Sequence, residues 1–146
     1  MSDLTEMGPI DWMVIEFDRP FTGEAIGPLL DLVDRGLIRI LDLAVLVKDE
    51  AGDVAFFEVS DLPGDEAAHM EVFVGVNTGI LGEDDLAAAG GAIENGTRAV
   101  MLVYENAWAA PFATAVRRAG GQLVDHGRIP VQAIIAALDE LDAADA

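Results

Sequence analysis

The chain contains no cysteine, which removes disulfides, thiol nucleophiles, iron–sulfur clusters and cysteine-ligated zinc in one step. It has a single lysine, Lys48, and seven arginines to set against 27 carboxylates, giving a formal net charge of −19. That balance disfavours unassisted binding to phosphate backbones or anionic membranes. Nucleic acid is therefore not an expected partner, except as something an acidic surface imitates. No apolar run approaches the ~18 uncharged residues of a membrane-spanning helix, and the amino terminus lacks the basic-then-apolar order of a signal peptide. The expectation is a cytoplasmic, soluble chain, mature as it stands, with no membrane partner.

What is present is enough apolar material for a core. With 146 residues and 52% hydrophobic content, the chain fits one domain, since domains of this length bury roughly 68–70% of the surface their unfolded chains expose. The acidity itself reads as coding bias or selection for solubility, with DNA mimicry and adaptation to high salt as alternatives.

A strand–helix–strand pattern occurs twice, over Val14 to Val47 and over Ala99 to His126. Residues 1–9 read as a flexible lead ending in Gly8-Pro9. Ile10 to Phe17 alternate as a strand, with Met13, Ile15 and Phe17 on one side and Trp12, Val14 and Glu16 on the other. Thr22 is a candidate N-cap for a helix in which Ile26, Leu29, Leu30 and Val33 form one stripe. Pro28 requires that helix either to begin near Ile26 or to kink. Ile38 to Val47 form a long strand, and the polar turn Asp49 to Asp53 returns the chain as Val54 to Val59, a hairpin.

Residues 60–82 carry turn signals and no decided element. Glu83-Asp84-Asp85 opens a helix with Leu86, Ala89 and Ile93 on a thin apolar face. Thr97 to Tyr104 is the next strand, followed by a helix capped by Asn106 and ended at Gly120, then a short strand Gln122 to Asp125. Pro130 starts a last helix whose Val131, Ile134, Ile135, Leu138 and Leu141 form the cleanest stripe in the chain.

This order predicts an α+β fold, a ferredoxin-like βαββαβ sandwich with a four-stranded antiparallel sheet, additional helices and most helices on one face. The domain spans 10–142, and 143–146 form a frayed acidic tail. Strands with apolar residues on both sides leave a second face to be covered by the terminal helix, by the 60–82 segment, or by another subunit. A homo-oligomer is accordingly expected.

Reactive constellations are sparse. His69 and His126 lack metal-ligand spacing and read as surface or loop residues, so no metal site is expected. Ser2 and Ser60 do not sit in a Gly-x-Ser-x-Gly elbow. Gly75 to Gly82 lacks the order of a phosphate loop, and Asp49 to Asp53 lacks that of a calcium-binding EF-hand loop. Glu16 with Asp42 is the carboxylate pair that acid–base chemistry would use, although strand carboxylates ordinarily face solvent. Trp12, Trp108 and Phe112 read as core, with a pocket lining as the alternative. No catalytic, cofactor-binding or metal-binding residue is assigned, and no cofactor is expected.

The stretches Glu16-Phe17, Phe21-Thr22-Gly23-Glu24, Leu32-Val33-Asp34-Arg35-Gly36 and Arg39-Ile40-Leu41-Asp42-Leu43 resemble an actinobacterial family of small acidic proteins known as a domain of unknown function. Glu58-Val59-Ser60-Asp61-Leu62, Leu81-Gly82-Glu83-Asp84-Asp85, Ala107-Trp108-Ala109 and Ala119-Gly120-Gly121 extend the likeness over nearly the whole chain. The resemblance implies no activity and carries no site residues. The chain is also distantly similar to a ferredoxin-like group in which a glycine-rich hydrophobic segment interrupts the same plan. Here the corresponding 60–82 segment carries Asp65, Glu66 and Glu71, so a membrane role does not transfer.

Function is left unknown among three classes: a non-enzymatic homo-oligomeric interaction or regulatory module, a small-ligand-binding sensor with its pocket between sheet and helices or at a subunit interface, and a carboxylate-dependent enzyme. The first leads, because the residues specify a good core and no reactive cluster.

Overall fold

The structure, a computed structural model, describes residues 6–62, 65–73, 76 and 78–145. Ser2, Gly75 and Asn77, singled out above, lie outside the described residues, as do positions 1–5 of the expected lead and Ala146 of the expected tail. The elements in chain order are β1 (Ile10–Phe17), α1 (Ile26–Asp34), β2 (Arg39–Lys48), β3 (Val54–Phe57), α2 (Asp65–His69), α3 (Glu83–Ala92), β4 (Arg98–Glu105), α4 (Ala110–Arg118) and α5 (Val131–Ala144). None of the described helices is long and apolar enough to cross a membrane. The chain forms two compact units, Met1–Ala115 and Val116–Ala146.

The first unit is built on a four-stranded antiparallel sheet in the order β1-β4-β2-β3. The mixed α+β class and the four antiparallel strands are as expected. In the β1-α1-β2 unit the two strands are parallel to each other, with β4 inserted antiparallel between them. β3 lies outside β2 as the second half of the expected hairpin. Its turn is tied by the Asp49 carboxylate, which accepts the Asp53 N–H at 2.8 Å, and by Gly52 at φ +93°, a left-handed conformation that costs glycine little. The return strand stops at Phe57, because Val59–Asp61 wind into a single 3₁₀ turn.

Period-two alternation sorts the strand residues onto two faces. On the first face Met13, Leu102 and Leu43 stand in register, and on the second Val14, Met101 and Ala44 do. The first face packs with Ile26, Leu29 and Leu30 of α1 and with Phe21, Val59, Leu62, Met70 and Phe73 from the connecting segments. The second face packs its Leu46, Ala99 and Met101 against Leu86 and Ala89 of α3 and Ile93 just after it. Helices therefore occupy both faces, where the sequence suggested mostly one. The thin α3 stripe suffices because Ala89 and Gly90 permit close approach, and a Cβ on Gly90 would stand 3.2 Å from the Val54 methyls.

Local details follow from a few residues. Pro28 falls in the first turn of α1, where its missing N–H has no intrahelical partner to lose. The N-cap is Ala25, without a side-chain bond, in place of the expected Thr22. Lys48 donates from Nζ to the carbonyls of Gly90 at 2.9 Å and Ile93 at 3.0 Å, so the lone lysine closes the C-terminal end of α3, where a cation complements the helix dipole. Asn106 does not cap the following helix. Its amide instead donates to the Pro9 carbonyl and to Asp11, fastening the entry of β1 to the exit of β4.

The end of the expected flexible lead is held. Gly8 is buried, and its N–H donates to Glu105 Oε2 at 2.8 Å, while Glu105 Oε1 pairs with Arg39 at 3.0 Å. A Cβ on Gly8 would collide with the Asn106 carbonyl, so only glycine lets the two backbones pass this closely.

The second unit holds the end of α4, a segment without regular structure, and α5. The expected strand Gln122 to Asp125 is absent, because residues 121–130 form neither helix nor strand and Leu123 and Val124 are exposed. Four residues following Gly120-Gly121 bring only two apolar side chains, too little burial to offset the ordering of an additional strand. The second strand–helix–strand repeat therefore lacks its last strand. α5 begins after Pro130 as expected, and its apolar stripe is exposed from Val131 to Leu141.

Candidate functional site

Between α1 and the β1–β4 half of the first sheet face lies a cleft of about 970 Å³. The alternation of β1 sends Met13, Ile15 and Phe17 into it, and β4 adds Val100, Leu102 and Tyr104. Opposite them α1 supplies Ile26, Leu29 and Leu32. Leu32 falls outside the 26-29-30-33 stripe, whose Ile26, Leu29 and Leu30 pack on the core. It is 37% exposed, and Ile15 across the cleft is 41% exposed. Apolar side chains of a small domain that stay wet while lining a concavity are the ordinary material of a ligand site.

The carboxylate and basic residues lining the cleft, among the described residues, are Glu16, Asp18, Arg19, Glu24 and Glu94. Arg19 Nε lies 2.8 Å from Asp18 Oδ1. The hydrogen bond from Arg19, with its positive charge, holds the Asp18 carboxyl below the usual aspartate range, and Asp18 in turn raises the guanidinium. Nearby, Arg98 pairs with Glu66 and stands 5.8 Å from the centre of the Phe21 ring, which meets Phe17 edge-to-face at 5.2 Å. Glu66 Oε2 is buried without a hydrogen-bond partner among the described residues. Beside the same corner the ring of His69 packs over Gly23, which takes φ +84° and has room for no side chain beyond hydrogen without crowding that ring.

Glu16 and Asp42 are not brought together. They lie on strands separated by β4, and their partners on β4 are Ala99 and Val103, four residues apart. At about 4.8 Å per strand and 3.4 Å per residue their backbones are roughly 17 Å apart. Each carboxylate instead serves the fold. Asp42 is buried at the β2 bulge and accepts the N–H groups of Leu43 and Leu81, both at 2.9 Å. Glu16 Oε1 accepts the Glu94 N–H at 2.7 Å and the Thr97 hydroxyl at 3.1 Å. The geometry gives no acid–base pair at these two residues.

Trp12, Trp108 and Phe112 are neither core nor cleft lining; they are 67%, 65% and 74% exposed. Aromatic spacing alone could not reveal this, because exposure depends on which strand forms the sheet edge. Among the described residues no group of three or more histidines and carboxylates is placed to hold a metal ion. The sequence assigns none of the cleft residues Arg19, Glu24, Leu32 and Glu94 to a site. The one signal available was Leu32, an apolar residue additional to an already complete helical stripe.

β1 is an edge strand of the sheet. Its register with β4 runs unbroken from Ile10 to Phe17, without a bulge. The Pro9 carbonyl accepts the Asn106 N–H at 2.7 Å. The alternation of an antiparallel ladder then turns the N–H and C=O groups of Asp11, Met13, Ile15 and Phe17 toward β4, and those of Ile10, Trp12, Val14 and Glu16 outward. Among the described residues no other strand pairs with that outward edge.

A family model described as a family of unknown function, DUF6325, matches residues 6–145, and the chain belongs to that family. No curated protein and no solved structure matches the chain.

Proposed function

We propose that this member of the family is a non-enzymatic, homo-oligomeric interaction module whose subunits join through β1. The carrying observation is the free edge itself. Soluble proteins blunt such edges with proline, bulges, lysine or inward-pointing charge. Between Ile10 and Phe17 β1 has no proline, bulge or lysine, and its two carboxylates, Asp11 and Glu16, are engaged by Asn106 and by Glu94 and Thr97.

A second copy fits this edge by symmetry. Antiparallel self-pairing must match residues on the same face, and a two-fold axis at Met13 sets Trp12 against Val14 of the partner subunit. The same register keeps Asp11 away from its own copy, and likewise Glu16. It also covers the exposed Trp12 ring and gives one eight-stranded sheet, an isologous contact that closes on itself. The split β1-α1-β2 unit, with β4 between its strands, supports reading the fold as a rearranged relative of the ferredoxin-like plan. A cytoplasmic working place belongs to the same proposal.

Light scattering over concentration and salt tests this. The expected particle has twice the 15.4 kDa chain mass, and its dissociation falls as salt screens the −19 charge on each copy. Val14→Pro removes an outward N–H that β4 does not use, and Trp12→Lys places a charge on the edge. Both variants are expected to be monomers with the parent's circular dichroism. A parent that stays monomeric at 100 micromolar and high salt, or a dimer indifferent to both substitutions, would sink the proposal.

The cleft favours a second reading, that of a small-ligand sensor. The two are compatible, since the cleft lies on one sheet face and the dimer forms along an edge.

A further inference from the structure

We infer that the cleft between α1 and the β1–β4 face binds lipophilic cations, molecules with an apolar body and an ammonium-like head. The inference rests on the sensor reading of the cleft and is independent of the β1 dimer.

Capacity and lining set the body of the ligand. About 970 Å³ is at the upper end of the range for small-molecule sites. Ile15 and Leu32 expose apolar surface into the cleft that water solvates poorly. A compact hydrocarbon or aromatic body gains by covering them.

Charge sets the head. Of the residues lining the cleft, Arg19 is the one cation, and its guanidinium is bonded to Asp18. Arg19 also lies within electrostatic reach of Glu24, so the charged residues of the lining are four carboxylates against one guanidinium. Glu16 receives the backbone N–H of Glu94, which brings the two acidic residues to the same corner. A bound cation offsets this excess of negative charge, whereas an anionic head meets it together with the field of a chain carrying −19. Aromatic rings add to the preference. Phe21, in edge-to-face contact with Phe17, already receives the Arg98 guanidinium over its ring, and an organic cation in the cleft would use the same kind of attraction.

Tetraphenylphosphonium and tetraphenylborate make a matched pair of probes, nearly equal in size and shape and opposite in charge. Calorimetric titration of the full chain is expected to show one phosphonium site per chain and at least about tenfold weaker binding of the borate. Glu24→Gln combined with Glu94→Gln is expected to weaken phosphonium binding about tenfold at low ionic strength and to have less effect at high salt. Leu32→Trp, made at a partly exposed position, sets an indole into the cleft and is expected to weaken phosphonium binding severalfold while the chain stays folded. Ile15→Phe serves as an independent filling variant on the opposite wall.

Equal binding of the two ions at a site weakened by Leu32→Trp would overturn the cation class and leave the sensor reading standing. Binding of neither ion would overturn both. Phosphonium binding untouched by either filling variant would be general counterion attraction to an acidic surface, and would also overturn the inference.

Discussion

Asp42 offers the sharpest test of whether the carboxylates of this chain serve chemistry or architecture. In the folded chain it is 3% exposed, and its two oxygens each accept one backbone N–H, from Leu43 and from Leu81. Asp42→Ala leaves both donors without an acceptor. A buried unsatisfied N–H costs about 1–3 kcal/mol. The Leu43 donor is buried and belongs near the upper end, while the Leu81 bond is partly buried, so water can reach that donor and the cost sits near the lower end. The sum is about 4 kcal/mol, which for a chain of this size lowers Tm by roughly 13 °C. Asp42→Asn keeps one acceptor oxygen and is expected to cost about half as much. Urea unfolding followed by circular dichroism measures both. If Asp42→Ala lies within about 0.5 kcal/mol of the parent, the two bonds do not hold the 78–82 loop to the sheet, and the structural reading of this residue is wrong.

Gly8→Ala is expected to destabilise by about 2 kcal/mol, since the added carbon meets the Asn106 backbone carbonyl and an overpacked site of this kind costs about 1–3 kcal/mol; the same unfolding assay reads it. Arg19→Ala is expected to return the Asp18 carboxyl to the ordinary aspartate value of about 3.9, observable by NMR titration. Because the folded value is depressed, the interaction favours the folded state above the unfolded carboxylate pKa and is lost as pH falls through the depressed folded value. Both groups are exposed, so added salt is expected to shrink the difference between parent and variant.

Much of the fold was legible in the chain. Strand alternation located Ile10–Phe17 and its two faces, the turn chemistry of Asp49 to Asp53 located the hairpin, and the clustered acids at Glu83 located the start of α3. These signals are local, arising from residues within a turn or two of one another. Where local signals compete, the reading failed. Thr22 and Asn106 are good capping residues by type, yet neither caps, because the chain enters α1 through Gly23 in a left-handed conformation and the Asn106 amide is drawn to Pro9 and Asp11 across the sheet. The run Gln122 to Asp125 has strand-forming residues at its centre and no ladder to join.

The candidate site was hardly legible at all. Its residues come from β1, the turn to α1, α1 itself, the end of α3 and β4, and no spacing in the sequence links Glu24 to Glu94 or Leu32 to Ile15. Glu16 and Asp42 were paired by type and separated by topology, since β4 inserts between their strands.

The sequence by itself determined β1 to β4, α1 and α3 to α5, the lack of thiol chemistry and the acidic charge, because these depend on composition and short-range periodicity. Only the tertiary structure decided that β1 is an edge strand, that α1 and α3 cover opposite faces, and that four carboxylates line one apolar cleft. Strand order and helix placement are set by long-range packing. Each element was free to bury its stripe against several partners until the whole core chose among them.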